Sequence, residues 1–248
     1  MSEWFATWFD TNYYHTLYNN RNETEANEFI DTLLNYLAPA ANVSFCDLAC
    51  GKGRHAKRIN EQGYSTIGLD LAPNSIAQAQ LMANATLQFY VHDMRQGFGA
   101  NRFNYITNLF TSFGYFNSLR DNLKVLQHVH NALTVNGVFV IDFLNVTPVL
   151  AQLPITQQLV KDIIQFNITK SHINNHIVKN IEVIDAGTTS HYQEQLQAIT
   201  HTQLCELLHT ANFTIEATFG NYALEPFNEQ QSPRVILIAR KTTTFATH

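Results

Sequence analysis

The stretch Val43-Ser44-Phe45-Cys46-Asp47-Leu48-Ala49-Cys50-Gly51-Lys52-Gly53-Arg54-His55 decides the fold. An apolar run ends in an acid, a turn carrying two glycines follows, and a helical pattern begins at once. A strand that delivers its carboxyl end to a ligand needing close backbone approach has this form. Further on, Ser65-Thr66-Ile67-Gly68-Leu69 reads as a second strand and closes on Asp70. A third acid, Asp93, follows the strand-like run 87–91. Acids at successive strand ends around a glycine turn point to an adenosine-containing cofactor.

Outward from this stretch, strands and helices alternate. Phe29, Ile30, Leu33, Leu34 and Leu37 recur at helical spacing after the N-cap candidate Thr24, and Pro39 ends that helix. Strands are expected at 43–48, 65–70, 87–91, 103–109 and 137–143, with helices at 53–62, 74–84 and 119–134. Such alternation predicts a doubly wound parallel sheet. After Pro148 the rhythm changes. Three stretches of alternating character, Val160 to Thr169, Ile177 to Ile184 and Thr189 to Ile199, are separated by Asn174-Asn175 and Asp185-Ala186-Gly187, and predict a small antiparallel sheet. Helix 202–211 and strands 213–219 and 234–241, paired antiparallel at one sheet edge, complete the pattern. Four parts result: an N-terminal cap segment and helix (1–38), a Rossmann-like core (39–150), an antiparallel β insert (151–200), and a C-terminal helix with the closing strands (201–248).

Composition narrows the partners. Charged residues make up 14% of the 248 and the formal net charge is −5, against about 25% charged residues in a typical domain. Such a chain has no general attraction for a phosphate backbone, so no nucleic-acid partner is expected. Three cysteines make no disulfide framework, and no metal-ligand spacing is visible. No signal peptide and no membrane-length apolar run are apparent, so a cytoplasmic location is expected.

Each acid has a physical role. Asp70 is placed to accept both hydroxyls of a ribose, in charge-assisted bonds worth roughly 1.5–3 kcal/mol. Asp93 can accept from an exocyclic amine of adenine, and Asp47 can brace the glycine turn. Gly51 and Gly53 let the backbone approach the ligand. A nicotinamide cofactor is a serious alternative, because Gly51-Lys52-Gly53-Arg54-His55-Ala56 fits the Gly-x-Gly-x-x-Gly/Ala fingerprint and Asp70 lies at about the expected distance. Against it, Asp47 intrudes just before the glycines and the sheet edge ends in an antiparallel pair. An NAD(P)-dependent oxidoreductase and a non-catalytic module that only binds the cofactor stay open as alternatives.

The segment 47–55, together with Gly68-Leu69-Asp70-Leu71, His92-Asp93-Met94-Arg95 and Asn108 to Phe116, resembles class I S-adenosylmethionine-dependent methyltransferases. It is most similar to the small bacterial-type branch that includes glycine and sugar N-methyltransferases. The likeness runs over about residues 10–241 and includes Leu17-Tyr18-Asn19-Asn20-Arg21 and Ser232-Pro233-Arg234. It implies S-adenosyl-L-methionine as cofactor, S-adenosyl-L-homocysteine as product, and methyl transfer to a nitrogen or oxygen of a small molecule. It also implies roles. Ala49 and Gly51 would contact the methionine part, Leu71 and Met94 the adenine, and Asn108 the amino end. Arg21 would pair with the carboxylate and Tyr14 would line the pocket. Ala49 stands where glycine is usual. Leu133-Thr134-Val135-Asn136-Gly137 replaces a Pro-Gly-Gly type of turn, and Asn136 can adopt the positive φ needed there.

For the chemistry, the aromatic loop 110–116 lies where an acceptor would sit, and Tyr115 could hydrogen-bond or deprotonate it. On the last insert strand, alternation puts Tyr192 and Glu194 on one face and His191 on the other, so one set could roof the pocket. Tyr115, Tyr192 and His191 are therefore the catalytic candidates. The insert and the cap segment are expected to enclose the site, which favours a small substrate. The insert also offers a surface through which two copies could pair as a homodimer.

Overall fold

The computed structural model describes residues 4–18, 23–116 and 118–242, apart from the side chain of Ala6. Its central sheet holds seven strands: β1 Ser44–Leu48, β2 Ser65–Asp70, β3 Leu87–Val91, β4 Phe103–Asn108, β5 Leu133–Leu144, and β10 Phe213–Phe219 with β11 Arg234–Lys241. The order is β10-β11-β5-β4-β1-β2-β3. β11 runs antiparallel to both its neighbours, and β10 outside it again runs with the rest.

Period-two alternation gives the sheet two apolar faces. Phe45, Val140 and Ile236 share one face with Phe29, Ile30 and Leu33 of α3 (Glu23–Leu37) and Ile59 of α4 (Arg54–Glu61). Cys46, Ile141 and Leu237 share the other with α6 (Leu119–Ala132) and α8 (His201–Thr210). The sheet is thus doubly wound, as the alternation implies. α3 carries Glu23 and Glu25 in its first turn, where they complement the helix dipole. Ser118 caps α6 and a Thr200–Gln203 capping box starts α8. The expected helix 74–84 is α5 (Pro73–Ala79) followed by one 3₁₀ turn.

α6 passes into β5 without a separate turn. The segment 133–137 is a bulge inside β5, in which Asn136 has φ 61°. The expected use of Asn at that point holds, while the strand begins earlier than its sequence suggests.

The insert is a separate four-stranded sheet in the order β6-β7-β8-β9: Ile155–Lys161, Ile164–Ile173, His176–Asp185 and Thr188–Gln197. One strand more is present than expected. A two-residue turn at Asp162-Ile163 splits the stretch read as continuous, with Asp162 at φ 53° and Ile163 exposed. An Asp-Ile pair lacks the glycine that usually marks such a hairpin. The inner face of the insert, including Phe166, Ile168, Ile181 and Val183, packs on Trp8 and Leu17. These two belong to short helices α1 (Trp4–Trp8) and α2 (Asn12–Leu17), so the cap and the insert share a small core of their own. Among the described residues no helix is long and apolar enough to cross a membrane.

Candidate active site

The strand ends that carry the acids meet at one edge. Asp47 pairs in register with Gly68, and Leu48 with Leu69, so the tips of β1 and β2 lie side by side. Beyond them the chain turns through Ala49 (φ 62°), Gly51 (φ 54°) and Gly53 (φ 82°) before α4 starts. Gly53 and Gly68 both rest on the ring of Phe89: a Cβ on either would lie 2.5 Å from a ring carbon. Gly51 has nothing within 4 Å of such a position and borders a cavity of about 870 Å³. That volume lies in the roughly 300–1,000 Å³ range of small-molecule sites. Ala49 holds its left-handed backbone at a cost of about 1–2 kcal/mol.

The three acids differ in what holds them. Asp70 borders the cavity; its Oδ2 accepts from the Gly51 amide at 2.7 Å and its Oδ1 from the Ala72 amide at 2.8 Å. Burial pushes its carboxyl above the usual value, against those amides. Each oxygen keeps a second lone pair. Asp93, also on the cavity wall, pairs with Arg95, whose Nη2 donates to Oδ2 at 2.6 Å. Burial alone would raise the Asp93 carboxyl, but the Arg95 side chain and amide hold it below its usual value. Asp47 is fully buried behind the turn and does not border the cavity. Its Oδ1 accepts from the Thr107 hydroxyl at 3.0 Å, while Oδ2 has no partner. Burial pushes it up to about 7, against the Thr107 hydroxyl and the Ala56 amide. It therefore does not touch the cavity as a cofactor-binding residue would, and it faces the start of α4 at Ala56 rather than a ligand.

Leu71 and Met94 flank the cavity between Asp70 and Asp93. Two apolar walls between two carboxylates fit an adenosyl group, with amine and hydroxyl donors at its ends. The glycine amides of the turn already have partners within the protein. The Gly51 amide is committed to Asp70 and the Gly53 amide to the Cys50 carbonyl. Asn108 ends β4 with its Nδ2 donating to the Leu48 carbonyl at 2.9 Å, and its Oδ1 is buried without a partner. Arg21 lies outside the described residues.

The far end of the cavity is aromatic. Tyr14, Tyr18 and Phe9 from the cap face Tyr115, Phe110 and Phe116 from the loop after β4. Phe110 (φ 57°) and Thr111 (φ 60°) are successive left-handed residues, a costly backbone that persists only when its surroundings impose it. The clamp is a buried ion pair. Arg234 Nε donates to Asp142 Oδ1 at 2.7 Å, Arg234 Nη2 to Thr111 Oγ1 at 2.8 Å, and the Phe110 amide to Asp142 Oδ2 at 2.8 Å. Phe110 stacks on Tyr222 and leans on His55. Burial and the neighbouring Arg54 hold His55 down at about 3, so its imidazole is neutral. From the other side, Gln197 at the end of β9 binds the Phe116 carbonyl at 2.6 Å and the Gly114 carbonyl at 2.8 Å.

Of the catalytic candidates, Tyr115 borders the cavity, packed by Trp4 and Phe9. Tyr192 does not border it; the ring lies 4.5 Å from that of Trp8 and serves the core between cap and insert. His191 is exposed on the outer face of the insert. The inner face instead brings Glu194 to the cap. Trp8 Nε1 and the Tyr18 hydroxyl both donate to it, at 2.7 and 2.8 Å, and Lys179 donates to the Tyr18 oxygen at 2.5 Å. Burial and the Glu194 charge push the Tyr18 phenol well above its usual value. Lys179 and Glu194 are cross-strand partners, so only knowledge of the register could have joined them. A charged residue on the apolar face of β9 was the available signal.

Residues 39–198 match the family model described as Methyltransferase domain. Among curated relatives, the glycine/sarcosine N-methyltransferase of Parasynechococcus marenigrum (strain WH8102) is 30% identical over 138 residues, 52% of this chain and 46% of that one. The chain spans about half the length of the curated relatives it matches. Among solved structures, an S-adenosylmethionine-dependent methyltransferase from Clostridium acetobutylicum ATCC 824 superposes with a TM-score of 0.79, at 16% identity, over 93% of this chain and 97% of that one. The amino pentose methyltransferase CalS10 from Micromonospora echinaspora, solved with S-adenosylmethionine bound, gives 0.67 at 17% identity, over 94% and 98%. At such identities these structures speak for the fold.

Proposed function

The chain belongs to the methyltransferase domain family, and from that premise we propose that it uses S-adenosylmethionine to methylate a nitrogen or oxygen of a small molecule. The observation that carries this reading is that Asp70, Leu71, Asp93 and Met94 line the same cavity as Gly51 of the glycine turn. Asp70 accepts from the ribose hydroxyls through the lone pairs its two amide partners leave, and Asp93 accepts from the adenine amine by sharing its carboxylate with Arg95. Gly51, without a Cβ, lets the chain approach the methionine part, with Ala49 beside it. Bound S-adenosylmethionine supplies a methyl group activated by a sulfonium.

The remaining work is alignment, which can be worth about 7–11 kcal/mol. The cap and the loop 110–116 enclose the acceptor end and exclude water from it. The clamped backbone at Phe110 and Thr111 fixes that wall. Tyr115 presents its phenol to an acceptor, while a neutral amine needs orientation more than a base. The glycine/sarcosine relative is named an N-methyltransferase, which favours nitrogen as the first atom to test. The test is transfer of labelled methyl from S-adenosylmethionine to a panel of small amines, amino acids, amino sugars and alcohols. Turnover with a panel member supports the reading. Cofactor binding without turnover across the panel would instead mark a binding module.

A further inference from the structure

Arg95 touches three parts of the molecule at once. Its amide donates to Asp93 Oδ1 at 2.9 Å, and its guanidinium grips both carboxylate oxygens. The same guanidinium lies 5.6 Å from the ring of Phe5 in the cap and 5.1 Å from the ring of Phe116 in the loop after β4. Those two rings meet edge to face at 5.8 Å, and both are buried on the cavity wall. Phe116 is further tied to the insert through Gln197, which in turn accepts from buried Asn122 of α6 at 2.5 Å. A planar cation wedged against two rings and anchored by a carboxylate fixes both rings together, which a lysine cannot do.

We propose that Arg95 is a positioning residue that couples the adenine end of the cavity to the cap and the acceptor loop, so that a group on Asp93 sets how tightly α1 and residues 110–116 close over the acceptor. The inference rests on the assignment of Asp93 to the adenine. A donor arriving at Asp93 shares the carboxylate with Arg95 and restricts the directions in which the guanidinium can lie. The rings of Phe5 and Phe116 follow it, and with them the two walls of the acceptor end. No residue between the two ends needs to move.

Amide hydrogen exchange on the full chain tests this, with S-adenosylhomocysteine as the probe. Arg95→Lys keeps a charge for Asp93 but loses the flat face that both rings contact. In the free protein, Arg95→Lys is expected to speed exchange in 4–9 and 112–116 by about tenfold, the scale of one or two such contacts, with the central strands unchanged. In the wild type, saturating S-adenosylhomocysteine slows exchange in both segments. In Arg95→Lys the probe still binds but the slowing is lost. Phe116→Leu, which leaves Arg95 and Asp93 paired, should lose the response at 4–9 as well. If Arg95→Lys retains the wild-type exchange pattern with and without the probe, the coupling is refuted. Loosening spread evenly over the sheet would also refute it, by showing a general structural role. A wild type that does not bind S-adenosylhomocysteine overturns the cofactor reading and this inference with it, whereas loss of the response in neither variant overturns the inference alone.

Discussion

Replacing Arg234 by methionine tests whether strain in the loop after β4 is imposed from outside. Asp142 is fully buried and its partner nearly so, so the single replacement strands a charge in the interior. Breaking such a pair costs about 3–5 kcal/mol. Asp142 keeps two donors, the Phe110 amide and the more distant Tyr222 hydroxyl at 3.3 Å, which argues for the lower end. For a chain of this size about 2–4 °C of Tm is lost per kcal/mol, so a fall of roughly 6–12 °C is expected in calorimetry. Adding Asp142→Asn removes the stranded charge while leaving an acceptor for the Phe110 amide. The double variant should therefore be more stable than Arg234→Met alone, with a coupling of at least about 1 kcal/mol. Activity should not return with stability, because Thr111 still lacks the Arg234 bond that holds it left-handed. A double variant no more stable than Arg234→Met, or one that regains methyl transfer, would refute the clamp.

Two buried groups give opposing pH effects. Asp47 is raised from 3.8 to about 7, so it destabilises the fold progressively as pH rises through that window. His55 is lowered from 6.5 to about 3, so its contribution is lost as pH falls from 6.5 toward 3. Between about 4 and 6.5 the slopes cancel; Asp47→Asn should leave stability rising with pH there, and His55→Gln should leave it falling, as followed by denaturant titration at stepped pH. In β2, Gly68→Ala meets only the Phe89 ring and Cys50 sulfur, whereas Gly53→Ala in the glycine turn adds left-handed strain of about 1–2 kcal/mol. Phe89→Leu should rescue most of the first loss and only part of the second, and equal rescue in thermal melts would count against the account.

The core was legible where pattern and position coincide. Gly51 and Asp70 could be placed on the cavity because the tips of adjacent parallel strands lie side by side, while Asp47 and Gly53, expected at the ligand too, lie behind it. The cap and insert were legible as additions, but their joint core was not. Trp8, Tyr18, Lys179 and Glu194 come from three segments, and their meeting depends on strand register and on the packing of α1, neither of which is written locally. The same holds for Asp142 and Arg234, which lie opposite Ile236 and Leu144 and so stand two positions apart across β5 and β11. His191 was a weaker choice than Glu194 because alternation assigns opposite faces without saying which is inward. The split at Asp162-Ile163 escaped notice because a left-handed aspartate needs no glycine when its neighbour is exposed.

The most direct measurement is a calorimetric titration of the wild type and Asp70→Ala with S-adenosylhomocysteine and, separately, with NADPH. The account expects the adenosyl ligand to bind one site on the wild type, NADPH to give no saturable heat, and the variant to lose at least about tenfold in affinity, as one charge-assisted contact removed implies. Saturable NADPH binding without S-adenosylhomocysteine binding, or full affinity in Asp70→Ala, would contradict it.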